Sequence, residues 1–182
     1  TSLDRKGGGL VIISPKTKSI FINTIFEHLA SPNLGSSGLT ASITIYDTDT
    51  SFQKCIFENN ESEDFLNLIH SKYELNDSYF KSVKSDAVDS DYSNGTITNS
   101  IFTDIGNDAM DFSGSISELS DIRIDGVGDK VLSAGEKSKI SGKHIDIINA
   151  EIGITSKDLS EVDLSNVKIK DTRLGFAVFQ KK

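Results

Sequence analysis

The chain has 182 residues, 36% of them hydrophobic and 25% charged, with a formal net charge of -8, which suits one domain with a substantial core and not a disordered tail. Its acids are scattered rather than massed in a tail, so a nucleic-acid backbone is repelled and an anionic membrane gains little; nucleic acid is excluded as a partner. No apolar run nears the roughly 18 residues of a membrane span, the opening TSLDRKGGG lacks the apolar centre of a signal peptide, and a single Cys55 excludes an intrachain disulfide framework.

Taken in chain order, KGGGL precedes the strand-like LVIIS, so its glycines predict a turn and not a phosphate loop, which would open a helix. Residues 24–46, TIFEHLASPNLGSSGLTASITIY, form a degenerate repeat unit in which SPNLGSSG, with one of the two prolines, predicts an excursion loop. Residues 51–71 form another. Fuller units follow at 72–93, 94–115, 116–138, 139–160 and 161–182, each 22 or 23 residues long.

Alternation predicts two short strands per unit. The first aligns Phe80, Phe102, Ile124, Ile147 and Ile169 in one inward column, with Ser78, Ser100, Ile122, Ile145 and Val167 two places earlier; Cys55 joins that second column as a small buried filler. The second strand aligns Val88, Met110, Leu132, Ile154 and Phe176. LSDIRI and LSNVKI imitate the opening of a leucine-rich repeat, but where that motif requires Asn the chain has Ile105, Val127, Ala150 and Thr172. The pattern therefore predicts an all-β fold, a right-handed parallel β-helix of about seven coils of ~22 residues, spanning 1–182 as a single domain and forming a segment of a larger protein. Open strand edges at LVIIS and GFAVFQKK call for flanking domains or end-to-end contacts to cover them.

On this repeat pattern the chain resembles the pectate-lyase-like superfamily of right-handed parallel β-helix proteins, and GDKVLSAGEKS and SKDLS resemble β-helix segments of bacterial secreted or surface proteins. The resemblance implies a secreted or cell-surface location in a bacterium and a polysaccharide lying along an outward strand face. It carries over no catalytic residue: the chain has no R-x-P-x-x-R of pectate lyases, no Gly-His-Gly or Arg-Ile-Lys of polygalacturonases, and no Asp-Pro-His of mannuronan epimerases.

The acids fall in register. SDAVDSDYS at 85–93 recurs as NDAMDFSGS at 107–115, and if Met110 and Phe112 face inward, alternation turns Ala109, Asp111 and Ser113 outward. The outward columns then read Ala87–Ala109–Val131–Gly153–Gly175, Asn67–Asp89–Asp111–Ser133–Thr155 and Asp91–Ser113–Gly135–Lys157, with Asp64–Asp86–Asp108–Lys130 at the strand edge. The first column is small and predicts a shallow track beside the acids. Carboxylates one coil apart, about 4.8 Å, repel by roughly 3.5 kcal/mol at an effective dielectric near 20. Such a cluster demands a cation, a neighbouring lysine or a raised pKa.

Two functions follow. The favoured one is a non-catalytic or structural module presenting an acidic groove to a carbohydrate or cation, lined by Asp86, Asp91, Asp108, Lys130 and Glu136. The alternative is a polysaccharide-degrading enzyme with Asp89, Asp111 and Lys157 as catalytic groups. A hydrolase would use Asp89 and Asp111 as proton donor and nucleophile or base; a lyase would hold Ca²⁺ on Asp86, Asp89, Asp108 and Asp111 while Lys157 or Lys130 removes a proton. A purely structural use is also open, since Asp at turns bonds to backbone amides, above all for Asp86 and Asp108. His28, His70 and His144 lack metal-ligand spacing and read as turn or surface residues.

Overall fold

The computed structural model describes residues 7–32 and 38–181. Sixteen strands lie in chain order: β1 (Leu10–Ile13), β2 (Ser19–Ile22), β3 (Ile25–Glu27), β4 (Ile43–Tyr46), β5 (Asp49–Gln53), β6 (Ile56–Glu58), β7 (Asp64–Ile69), β8 (Lys72–Asn76), β9 (Tyr79–Val83), β10 (Asp86–Asp91), β11 (Asn94–Thr98), β12 (Ile101–Ile105), β13 (Met110–Ser113), β14 (Ile116–Gly135), β15 (Lys139–Lys157) and β16 (Glu161–Phe179). Every pairing is parallel and joins one coil to the next. The result is an all-β parallel solenoid of about six turns. Asn33 to Ser37 of the expected excursion loop lie outside the described residues.

Each coil has three sides rather than two. The first ladder runs β1–β4–β7–β10–β13 and on through the last thirds of β14, β15 and β16; the second runs β2–β5–β8–β11 into their first thirds; the third runs β3–β6–β9–β12 into their middle thirds. The second ladder is the one that alternation misses. Its inward column Tyr73–Gly95–Ser117 mixes three residue types that together fill one volume. A side chain on Gly95 would lie 2.5 Å from the Tyr73 ring, and the Tyr73 hydroxyl bonds Ser117 Oγ at 2.7 Å two coils on.

The corners explain much of the polar repeat. One corner carries Asn23, Lys54, Asp77, Asn99, Asp121, His144 and Asn166 with positive φ; the next carries His28, Asn59, Ser82, Asp104, Gly126, Asn149 and Asp171. Asn, Asp and Gly enter this left-handed region at lower cost than other residues, because short polar side chains bond locally and glycine lacks a Cβ. His28, His70 and His144 are all such corner residues. Between the third and first ladders the backbones of successive coils touch: a Cβ on Gly106 would stand 2.1 Å from Lys84 O, and one on Gly128 2.1 Å from Gly106 O.

Inside, the coils stack like on like. Phe57, Phe80 and Phe102 lie face to face, with ring centroids 4.3 and 4.8 Å apart, and Ile124 and Ile147 continue the column. Buried serines close another corner: the N–H of Ser71, Ser93, Ser115 and Ser138 donates to Oγ of Ser93, Ser115, Ser138 and Ser160 at 2.9 to 3.1 Å. Each thereby satisfies an amide that no water reaches. Cys55 is buried as expected, its N–H donating to Ser78 Oγ at 3.2 Å.

Candidate functional site

The register of the acids on the first ladder is the one that the repeat predicts. Asp89 pairs with Asn67 on one side and Asp111 on the other, Asp86 pairs with Asp64, and Asp111 pairs with Ser133. One expectation is overturned: Ala87, Ala109 and Val131 are fully buried in the core beside Val88, Met110 and Leu132. Two successive residues thus point inward, breaking strict alternation, and the shallow track is absent. Asp86 and Asp89, on either side of the inward pair, share the outer face.

That outer face is recessed. Asn67 is 7% exposed and Ser133 and Thr155 are fully buried, although their column lies outside the coil. Along its edge the carboxylates bond backbone. Asp108 N–H donates to Asp86 Oδ1 at 2.9 Å, as does Asn107 Nδ2 at 2.6 Å, and Lys130 N–H donates to Asp108 Oδ1 at 2.9 Å. Lys130 Nζ lies 3.4 Å from Asp108 and also bonds Asp129. Asp86 and Asp108 therefore serve the solenoid itself. Asp64 accepts from Thr40 Oγ1 at 2.8 Å. Burial pushes the Asp64 and Asp108 carboxyls up to about 6, and Thr40 and Lys130 respectively oppose that rise.

On the floor of the strip, Asn67 Nδ2 donates to Asp89 Oδ2 at 2.7 Å and to Asp91 Oδ2 at 3.4 Å. Asp89 is pushed up to about 8, chiefly by burial and then by the charges of Asp91, Asp64 and Asp111. Burial also raises Asp91. At the far end the Lys157 stem crosses Gly135, where a Cβ would stand 2.9 Å from Lys157 Cε. Its ammonium bonds Ser133 Oγ at 2.8 Å and lies 3.8 Å from Asp111 Oδ1. Burial lowers the Lys157 pKa, which Asp111 partly restores. Glu136 stands apart, at a corner with φ of 56°, and accepts a hydrogen bond from Tyr92 OH at 2.8 Å.

Among the described residues four buried side-chain polar atoms take no hydrogen bond: Thr44 Oγ1, Asn67 Oδ1, Asp111 Oδ1 and Thr155 Oγ1. All belong to this one column, since Thr44 pairs with Asn67 and Thr155 with Ser133. Buried polar groups are ordinarily satisfied, so their concentration marks this strip out from the rest of the solenoid.

The sequence reading missed a row of rings at the margin. Tyr46, His70 and Tyr92 run along the solenoid axis, with centroids 5.9 and 5.6 Å apart. Tyr46 is 41% and Tyr92 58% exposed. A broader depression of about 590 Å³ lies at another corner, between Asp121, Arg123, His144, Asp146, Asn166 and Lys168. Within it His144 Nδ1 lies 3.3 Å from Asp121 and Lys168 Nζ 4.0 Å from Asp146.

Among the described residues no three of His, Cys, Asp or Glu are grouped as a metal ion requires, and no helix is long and apolar enough to cross a membrane. No family model matches the chain, and no curated protein matches it in sequence.

Proposed function

We propose that the recessed strip of the first ladder and the rings at its margin bind a glycan without turning it over, on a secreted or surface-displayed bacterial β-helix similar to the pectate-lyase-like proteins. The observation that carries this reading is the row Tyr46–His70–Tyr92 beside Asn67 and Asp91. A pyranose ring has apolar C–H faces and hydroxyl edges. Exposed aromatic faces take the former, and carboxylate and amide oxygens accept from the latter. Three rings in line along the axis favour a chain over a single sugar.

The test is a binding panel of neutral, acidic and amino polysaccharides against the whole chain and a Tyr46→Ala/Tyr92→Ala variant. Affinity for at least one glycan, lost in the double variant, supports the reading. Unchanged affinity in the variant moves the site elsewhere.

Polysaccharide hydrolysis is the second reading, and Asp89 favours it. A carboxyl pushed up to about 8 is protonated at neutral pH, as a general acid must be, with Asp111 on the next coil as nucleophile or base. Product that disappears in Asp89→Asn while binding persists would establish it. Binding without product leaves the module.

The last coil leaves Phe176 61% and Val178 84% exposed, although the preceding residue in Phe176's column, Ile154, is core.

A further inference from the structure

We propose that the ligand of this strip is a cationic amino-sugar chain, held through its primary ammonium groups, rather than a neutral or acidic glycan. The inference rests on the glycan reading above and names its chemical class.

The strip is divided along its length. Its cations sit at one end, where Lys130 is engaged with Asp108 and Asp129 and Lys157 with Ser133 and Asp111. At the other end Asp89 and Asp91 accept from Asn67, Asp64 acts on Asp89, and among the described residues no lysine or arginine pairs with any of the three, although His70 partly opposes the rise of Asp91. Asn67 is 7% exposed, spends its amide N–H groups on Asp89 and Asp91, and leaves Oδ1 accepting nothing. Asn67 Oδ1, an acceptor without a donor, and the Asp91 carboxylate beside it call for a ligand that brings both hydrogen-bond donors and positive charge.

An ammonium group supplies three N–H donors and a compact charge. A metal ion would need ligands converging on one point, which the described residues do not provide. The rings suit the same ligand, because Tyr46 and Tyr92 are exposed beside the strip and an aromatic ring attracts sugar C–H groups and, through its quadrupole, a cation. A uronate chain would bring further negative charge to this end of the strip and to a chain of net charge -8.

The experiment titrates the whole chain, by calorimetry at pH 6, with oligoglucosamine and with fully N-acetylated oligoglucosamine of equal length. Oligogalacturonate, a neutral β-glucan oligomer and spermidine form the remaining arms. Oligoglucosamine is expected to bind at least tenfold more tightly than its N-acetylated form. Asp91→Asn should remove most of that preference, whereas Asp163→Asn, which deletes the same charge from the outer face of the second ladder, should leave it intact. Equal binding of both forms, or tighter binding of the neutral or acidic oligomer, overturns the ammonium inference and leaves the glycan reading standing. Equal losses in Asp163→Asn and Asp91→Asn overturn it as diffuse attraction between opposite charges. Binding of spermidine alone, or of nothing, overturns both readings.

Discussion

Asp89→Asn should make the protein more stable, and increasingly so as pH rises. A buried carboxyl pushed up to about 8, against an ordinary value of 3.8, holds a proton in the folded state that the unfolded chain has already released. Its contribution to stability is therefore complete below the ordinary value and is lost as pH climbs toward 8. Each pH unit in that range costs about 1.4 kcal/mol. Asp64 and Asp108, pushed up to about 6, act in the same direction lower down, so the window from pH 6.5 to 8 separates Asp89 from them. Within it the wild type should lose roughly 2 kcal/mol and Asp89→Asn almost none of that, because the amide keeps the shape and still accepts from Asn67. Urea unfolding at intervals of half a pH unit, followed by circular dichroism, measures the difference. Parallel curves for the two proteins from pH 6.5 to 8 would refute the argument and place Asp89 in contact with water.

Three further outcomes test the packing. Phe80→Ala removes the central ring of the Phe57–Phe80–Phe102 stack and should cost about 3 to 5 kcal/mol in urea unfolding. Ser115→Ala leaves the buried Ser93 N–H without its 3.0 Å acceptor; a loss of about 1 to 3 kcal/mol is expected, with faster hydrogen exchange at the Ser93 amide. Gly128→Ala places a methyl group 2.1 Å from the Gly106 carbonyl oxygen. Because backbone rather than a flexible side chain is the obstacle, that variant should express as unfolded or aggregated protein, while Gly135→Ala, which meets only the movable Lys157 stem, should fold.

The solenoid was legible because its columns repeat with chemical likeness. Phe80, Phe102, Ile124 and Ile147 share one column and are all buried, and a parallel stack requires like on like at a spacing of one coil. Where several unlike residues fill one volume, the period fades, as with Tyr73, Gly95 and Ser117, and the second ladder was hidden for that reason. Alternation failed at a different point. Ala87 and Val88 both face the core, so a rule of strict period two turned Ala87, Ala109 and Val131 outward when they are interior. The repeated Asp and Asn residues also divide in a way that spacing does not reveal. Asp77, Asp104, Asp121 and Asp171 turn corners with positive φ, while Asp89 and Asp111 lie on a strand.

The rings escaped notice because Tyr46 lies outside the column that His70 and Tyr92 share. Tyr46 is paired with Ile69, not with His70, and the stack forms across neighbouring columns. Asp89, by contrast, was legible as a position but not as a cost. One coil beyond Asp111 the same column contains Ser133 and then Thr155, both fully buried, so the fold accepts a small hydroxyl residue here. A solenoid selected for stability alone would place one at position 89 as well. Asp86 and Asp108 return their cost by accepting the amides of the next coil; among the described residues no backbone amide bonds Asp89, whose partner is the side chain of Asn67. A buried acid that destabilises its own fold, beside an unsatisfied amide oxygen and a row of exposed rings, is the pattern of a site maintained for what it binds. Asp89→Asn should therefore gain stability at neutral pH, and whatever the strip does through the Asp89 carboxyl should be lost with it.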